Sequence, residues 1–221
     1  MRCPHCGKTM FVRTRFEDRV RVVATQAEAD VIDEKWKLGG GAREFRQWDK
    51  DEFEKERAML RKRFYGQEPS DSDVKWSIFN KDLIGFAMRG QWGMYRSVLL
   101  EMGELLRGKL KLKDALGFYF DVCYLDWNVP NNKPIWHGPD PYHSAARIDV
   151  DFIPFSPIPE RQFFAPYVID SINVVCTNLN LNAERAEGIF MRRAEQIERT
   201  LKTPVSPREC WRELLKKLPF L

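Results

Sequence analysis

The sequence predicts a mainly α-helical protein with a small N-terminal β-hairpin and one long proline-rich loop, and three observations predict it. From Gln91 to Trp127 apolar residues recur at three- and four-residue steps in two consecutive runs, as one antiparallel helical hairpin requires. Stretches on both sides keep the same period, each opened by a capping residue or closed by glycine, asparagine or proline. Seven of the 13 prolines lie between Pro130 and Pro159, so no long helix crosses that segment.

Composition supports a packed core. Hydrophobic residues make up 43% of the 221, which excludes global disorder. Lys and Arg number 36 against 32 Asp and Glu, a net charge of +4, with the signs interleaved along the chain. That excess is a weak pointer to nucleic acid. No apolar run approaches the roughly 20 residues that span a bilayer, and no secretory segment is read at the N-terminus, so a cytoplasmic location is expected. Five cysteines is an odd number; Cys123 and Cys176 lie in helical apolar patterns, Cys210 sits beside Trp211, and all three read as reduced, buried thiols.

In chain order, we divide the sequence into an N-terminal segment and linker, 1–48, and a helical domain, 49–221, carrying a loop insertion at 128–160. The first segment opens with Cys3-Pro4-His5-Cys6-Gly7. Two thiolates two residues apart, followed by glycine, match the knuckle of a zinc ribbon, in which a tight turn aims both sulfurs at one tetrahedral ion. Met10–Phe16 and Arg19–Ala24 pair as a hairpin turning at Glu17-Asp18. A ribbon needs a second ligand pair, and the next cysteine is Cys123. Three readings stand: a relic ribbon without metal, a zinc site completed by His5, a distant side chain or a second chain, and a redox CxxC. The redox reading lacks the surrounding βαβ pattern.

Gln26–Leu38 is a short helix capped by Thr25, with Ala27, Val31 and Ile32 facing inward, and Gly39-Gly40-Gly41 is a joint. The triple glycine lacks the lysine and strand of a phosphate loop. Asp49–Tyr65 is a charged helix capped by Asp49 or Asp51, with a narrow stripe of Phe53, Arg57 or Met59, Leu60 and Phe64. Arg61-Lys62-Arg63 in its last turn suits the helix dipole, and is also a candidate phosphate-contacting patch. Ser70-Asp71-Ser72-Asp73 starts the next helix, which ends near Arg89 with Gly90 as its stop and packs on the central hairpin as a three-helix core.

In the hairpin, Met94, Tyr95, Val98, Leu99, Met102, Leu105 and Leu106 make one apolar face, and Leu112, Ala115, Leu116, Tyr119, Phe120, Cys123 and Tyr124 the other. A short basic turn joins them. Gly103 and Ala115 are small where two axes cross closely, since glycine inside a helix costs about 1 kcal/mol against alanine and close packing offsets it. Met102-Gly103, Leu106, Ala115, Tyr119 and Val122 fall in the register of a tetratricopeptide repeat, and the hairpin resembles that family. Leu99 stands at the family's tryptophan position, Leu110 at its loop glycine and Trp127 at its terminal proline. The resemblance covers one repeat and implies a scaffold for protein or peptide binding. The stretch from Trp76 to Asn128 also resembles uncharacterised bacterial or phage proteins, which implies no activity.

The proline-rich loop holds His137, Asp140, His143, Asp149 and Asp151, imidazole and carboxylate groups of the type that hold a divalent metal and activate water. Their spacing matches neither HExxH nor a paired nuclease signature. Ile148–Ile153 alternates as a short strand. Pro166 opens a helix to about Thr177; Asn182 caps the next, whose Arg192-Arg193 faces out as a second basic patch; Ser206-Pro207-Arg208-Glu209 starts the last.

No nucleophile elbow, dinucleotide fingerprint or Ser/His/Asp order is present, so the sequence leans away from an enzyme. The expected function is a helical protein-interaction module. The alternatives are a nucleic-acid-associated protein of phage or mobile-element type and a metal-dependent hydrolase using the 137–151 loop. A homo-oligomer is compatible with each.

Overall fold

In the computed structural model the chain folds as a mainly α protein; the structure describes residues 9–15, 20–39, 43–128, 162–201, 203 and 205–218. Strands β1 (Phe11–Thr14) and β2 (Arg21–Ala24) pair antiparallel, with Val12 opposite Val23. Among the described residues eight helices follow: α1 (Gln26–Gly39), α2 (Lys50–Arg63), α3 (Asp71–Met88), α4 (Trp92–Gly108), α5 (Leu112–Asn128), α6 (Pro166–Asn178), α7 (Ala183–Leu201) and α8 (Pro207–Leu215).

The caps explain most starts. Asp49 accepts from the amides of Asp51 and Glu52 and so is the cap of α2, Asp51 lying inside the first turn. Ser70 and Asp73 form a reciprocal capping box on α3. Asn182 accepts from the Arg185 amide, and Ser206 from that of Glu209. Thr25 receives the Glu28 carboxylate on both its amide and its hydroxyl.

The stops share one device. Four helices end with paired bonds that close a Schellman motif around a residue in the left-handed region. For α4 these are Lys111 N–H to Leu106 O and Leu110 N–H to Arg107 O. The left-handed residues are Tyr65 (φ 54°), Gly90 (φ 64°), Leu110 (φ 59°) and Asn180 (φ 48°). Glycine and asparagine suit that geometry; tyrosine and leucine do not. An L-residue there costs about 1–2 kcal/mol. Tyr65 is 99% exposed, so no packing compensates. Tyr65→Gly is expected to raise stability by about 0.5–1 kcal/mol after glycine's larger unfolded-state entropy is subtracted, read as a higher urea midpoint.

The core is built around α5, which packs on α4, α6, α7 and α8. It is covered on nearly every side: Ala115, Leu116, Tyr119, Phe120, Val122, Cys123 and Tyr124 are fully enclosed. Gly103 explains the closeness of α4 and α5. A Cβ there would stand 3.0 Å from Tyr119 Cε1 and 3.3 Å from Phe118 Cβ, leaving no room for a side chain. On the far side, Phe190 of α7 and Trp211 of α8 meet Phe120 in one aromatic cluster. The segment between α7 and α8 is held over the C-terminal end of α5. The Tyr124 hydroxyl donates to Val205 O (2.8 Å) and accepts from the Thr203 hydroxyl, while Asn128 Oδ1 accepts from the Val205 amide (2.9 Å).

The stretch before α2 is pinned to the core. Glu104 Oε2 accepts from the Arg43 amide (2.6 Å), Arg46 pairs with Asp82 (2.5 Å) and Glu101 (3.1 Å), and Trp48 packs on Phe53 and Phe79. Three faces differ from expectation. In α1, Ala29 is the buried position, while Ala27 and Val31 are exposed, because the helix lies one turn-face round from the expected one. In α2, Glu56 is buried and ties Ser77 and Lys81 of α3, which no apolar count reveals. Met94 is 51% exposed although Trp92 before it is buried and Arg96 after it reaches Asp126 of α5, so it lies off the covered face of α4.

Candidate binding cleft

Three segments distant in sequence converge on a cleft of about 540 Å³: the first turns of α3, the α4–α5 turn with the start of α5, and the middle of α7. Trp76 and Phe118 lie in its wall as an edge-to-face pair, 5.9 Å between centroids and at 88°. Gly117 lets the Arg193 side chain lie close against α5, and Leu105, Leu106 and Ile189 complete the apolar part.

The rim is cationic. Lys109, Lys111 and Lys113 alternate around the Leu110 turn, and Arg192 faces them from α7. All four are exposed, and none makes an ion pair among the described residues. Two carboxylates share the cleft, Asp73 and Asp114. Hydrogen bonds from Ser70 hold the Asp73 carboxyl below its ordinary range against the opposing effect of burial, and Lys109 and Lys111 add to the lowering.

Arg193 behaves differently from Arg192. It turns inward, with Nε donating to Asp121 Oδ1 (2.9 Å) and a second nitrogen to Oδ2, and its guanidinium lies 5.1 Å over the Phe118 ring. Burial pushes the Asp121 carboxyl up to about 6, with Arg193 pulling the other way. Arg96 grips Asp126, one helical turn further along α5, through two bonds of 2.7 Å. Glu104 accepts from the Tyr119 hydroxyl (2.6 Å), and Arg107 Nη1 donates to Ser171 Oγ (3.1 Å). These polar side chains bind helices to each other and make no ion pair with the four cleft cations.

The expected outward pair Arg192-Arg193 is therefore split: Arg192 joins the cleft, and Arg193 serves the buried Asp121. Arg61, Lys62 and Arg63 are exposed at the end of α2. Arg61 and Lys62 border a separate hollow with Arg57 and Glu68, where Arg57 already faces Glu54, Glu68 and Asp71 and Arg61 faces Glu68. Glu68 lies in the hollow beside Arg61, and Asp73 in the cleft beside Lys109 and Lys111, so carboxylates are interleaved with both basic groups. Cys3 and Cys6, and His137, Asp140, His143, Asp149 and Asp151, lie outside the described residues. Among the described residues no group of three or more His, Cys, Asp or Glu side chains is placed to hold a metal ion, and no helix is long and apolar enough to cross a membrane.

Sequence reasoning noticed the basic turn but not its partners. Trp76 and Phe118 carry no mark in the sequence that separates them from core aromatics. The one local signal is Lys109, Lys111 and Lys113 alternating across a helix boundary, with Lys111 in place of an acceptor side chain just before α5. Comparison of the chain with protein-family models, curated proteins and solved structures finds no match.

Proposed function

We propose that the protein is a helical interaction module that receives an acidic segment of a partner protein in the cleft between α3, the α4–α5 turn and α7. One observation carries this reading: four cations without an ion pair among the described residues surround an aromatic wall in a hollow of ligand-binding size. Exposed cations gathered in a cleft repel one another, an effect that Lys109 at the α4 C-cap and the nearby Asp73 offset only in part, whereas opposite charge on a partner steers its approach. The tetratricopeptide-like register of the α4–α5 hairpin supports the same reading, since such hairpins present grooves between stacked helices. An extended nucleic-acid surface is less favoured, because Glu68 and Asp73 are interleaved with the basic groups.

The test is selection of peptides from a random display library on the full chain. Acidic peptides bearing an apolar or aromatic anchor are expected. Their affinity is expected to fall about 30-fold when Lys109, Lys113 and Arg192 are all changed to Glu, with each reversed contact contributing about 0.7 kcal/mol. Raising salt from about 50 to about 300 mM weakens binding in the same direction. Selection of peptides indifferent to those substitutions, or tighter binding of random single-stranded RNA, overturns the reading.

A further inference from the structure

We infer that the group seated in this cleft is a phosphate monoester on an aromatic stem, presented by a phosphorylated side chain of the partner segment. The inference rests on the cleft being a partner-binding site, and goes further by fixing the chemistry of what enters it.

Charge count favours this group. The lining holds five cations (Lys109, Lys111, Lys113, Arg192, Arg193) and two carboxylates (Asp73, Asp114). Arg193 is matched by Asp121. Two positive charges remain, the complement of a phosphate monoester, which carries about −1.5 to −2 at neutral pH. A lone carboxylate leaves an excess, and a polyanion meets Asp73 and Asp114.

Geometry agrees. The cations come from two sides, with the three lysines on the turn and Arg192 opposite, so a compact tetrahedral group is clamped where a flat surface would only attract. Ser72 adds a hydroxyl from α3. The left-handed Leu110 folds the chain so that α5 starts at this rim, and the residue at its cap position, Lys111, has no acceptor side chain. The start of α5, where the helix dipole favours negative charge, lies at this rim beside Asp114 of its own first turn. The stem then meets the wall formed by Trp76 and by Phe118, one face of which Arg193 already covers.

The experiment is titration of the full chain with phenyl phosphate, inorganic phosphate and benzenesulfonate, followed by calorimetry and amide NMR. Phenyl phosphate is expected to bind with a dissociation constant below about 1 mM, at least about tenfold tighter than either of the others. Binding is expected to weaken as pH falls from about 7.5 to about 5, because the ester loses its second charge near pH 6. Lys111→Gln with Arg192→Gln is expected to weaken it more than about tenfold while the thermal midpoint stays unchanged, both residues being exposed. Benzenesulfonate binding as well as phenyl phosphate, or a double variant that binds normally, overturns the inference. Display-selected unphosphorylated peptides that bind the cleft while phenyl phosphate does not would also overturn it and leave the module reading standing. Phenyl phosphate binding with no peptide selected, from a library of tyrosine-phosphorylated peptides as well as from the unmodified one, supports the phosphate seat and overturns the partner-segment reading.

Discussion

Replacing Phe190 by alanine is expected to lower the unfolding free energy by about 4 kcal/mol, the largest effect of any single substitution considered. Phe190 is fully enclosed and touches three rings: Phe120 edge-on at 5.5 Å, Tyr124 edge-on at 6.2 Å and Trp211 tilted at 5.3 Å. Removing a buried phenyl ring loses its transfer free energy and leaves a cavity, about 3–5 kcal/mol together. Collapse is restricted here because three rigid rings from two other helices line the gap. The loss also reaches α8, which has nine residues and cannot hold helical form without docking Trp211. Urea unfolding followed by circular dichroism checks this. Phe190→Leu is expected to recover more than half of the loss. A decrease under about 1.5 kcal/mol for the alanine variant would mean that the ring cluster is not central to the fold.

Arg193→Met is the second large effect, about 3 kcal/mol of destabilisation at pH 8. Removing one partner of a buried pair leaves an uncompensated charge, at a cost of about 3–5 kcal/mol. The lower end applies because Arg193 is about one-third exposed while Asp121 is 5% exposed. The pH dependence separates this from lost packing. Asp121 already titrates near 6 in the folded protein, above its ordinary range, because burial disfavours the carboxylate. Without Arg193 it titrates higher still. A folded-state pKa above the unfolded one means that folding takes up a proton between the two values, so stability increases as pH falls through that window. The variant gains more than the natural chain does, and the deficit is expected to shrink to about 1 kcal/mol by pH 5. A deficit independent of pH would assign the loss to packing on Phe118.

Much of the helical frame was legible because its signals are local. Asp49, Ser70, Asn182 and Ser206 mark starts through acceptors within three residues, and Gly103 marks a close crossing through its cost inside a helix. The missed features are those in which a distant partner decides. Glu56 looks like a solvated acid until Lys81 and Ser77 are brought to it. Arg193 looks like the twin of Arg192 until Asp121 lies beneath it. Leu110 holds a positive φ that favours glycine, a backbone demand that a leucine in the sequence conceals. The cleft was invisible for a related reason: residues 72–76, 105–118 and 189–193 meet there through tertiary packing that no periodicity encodes.

Cys123, Cys176 and Cys210 are free and enclosed, and burial pushes each thiol well above its usual range, to about 12 for Cys176. Neither the thiolate nor a path for a reagent exists while α5, α6 and α8 stay together. Alkylation of these three positions therefore serves as an internal clock for core opening. Mass spectrometry that resolves their separate rates would report whether α8 detaches before the rest of the bundle comes apart.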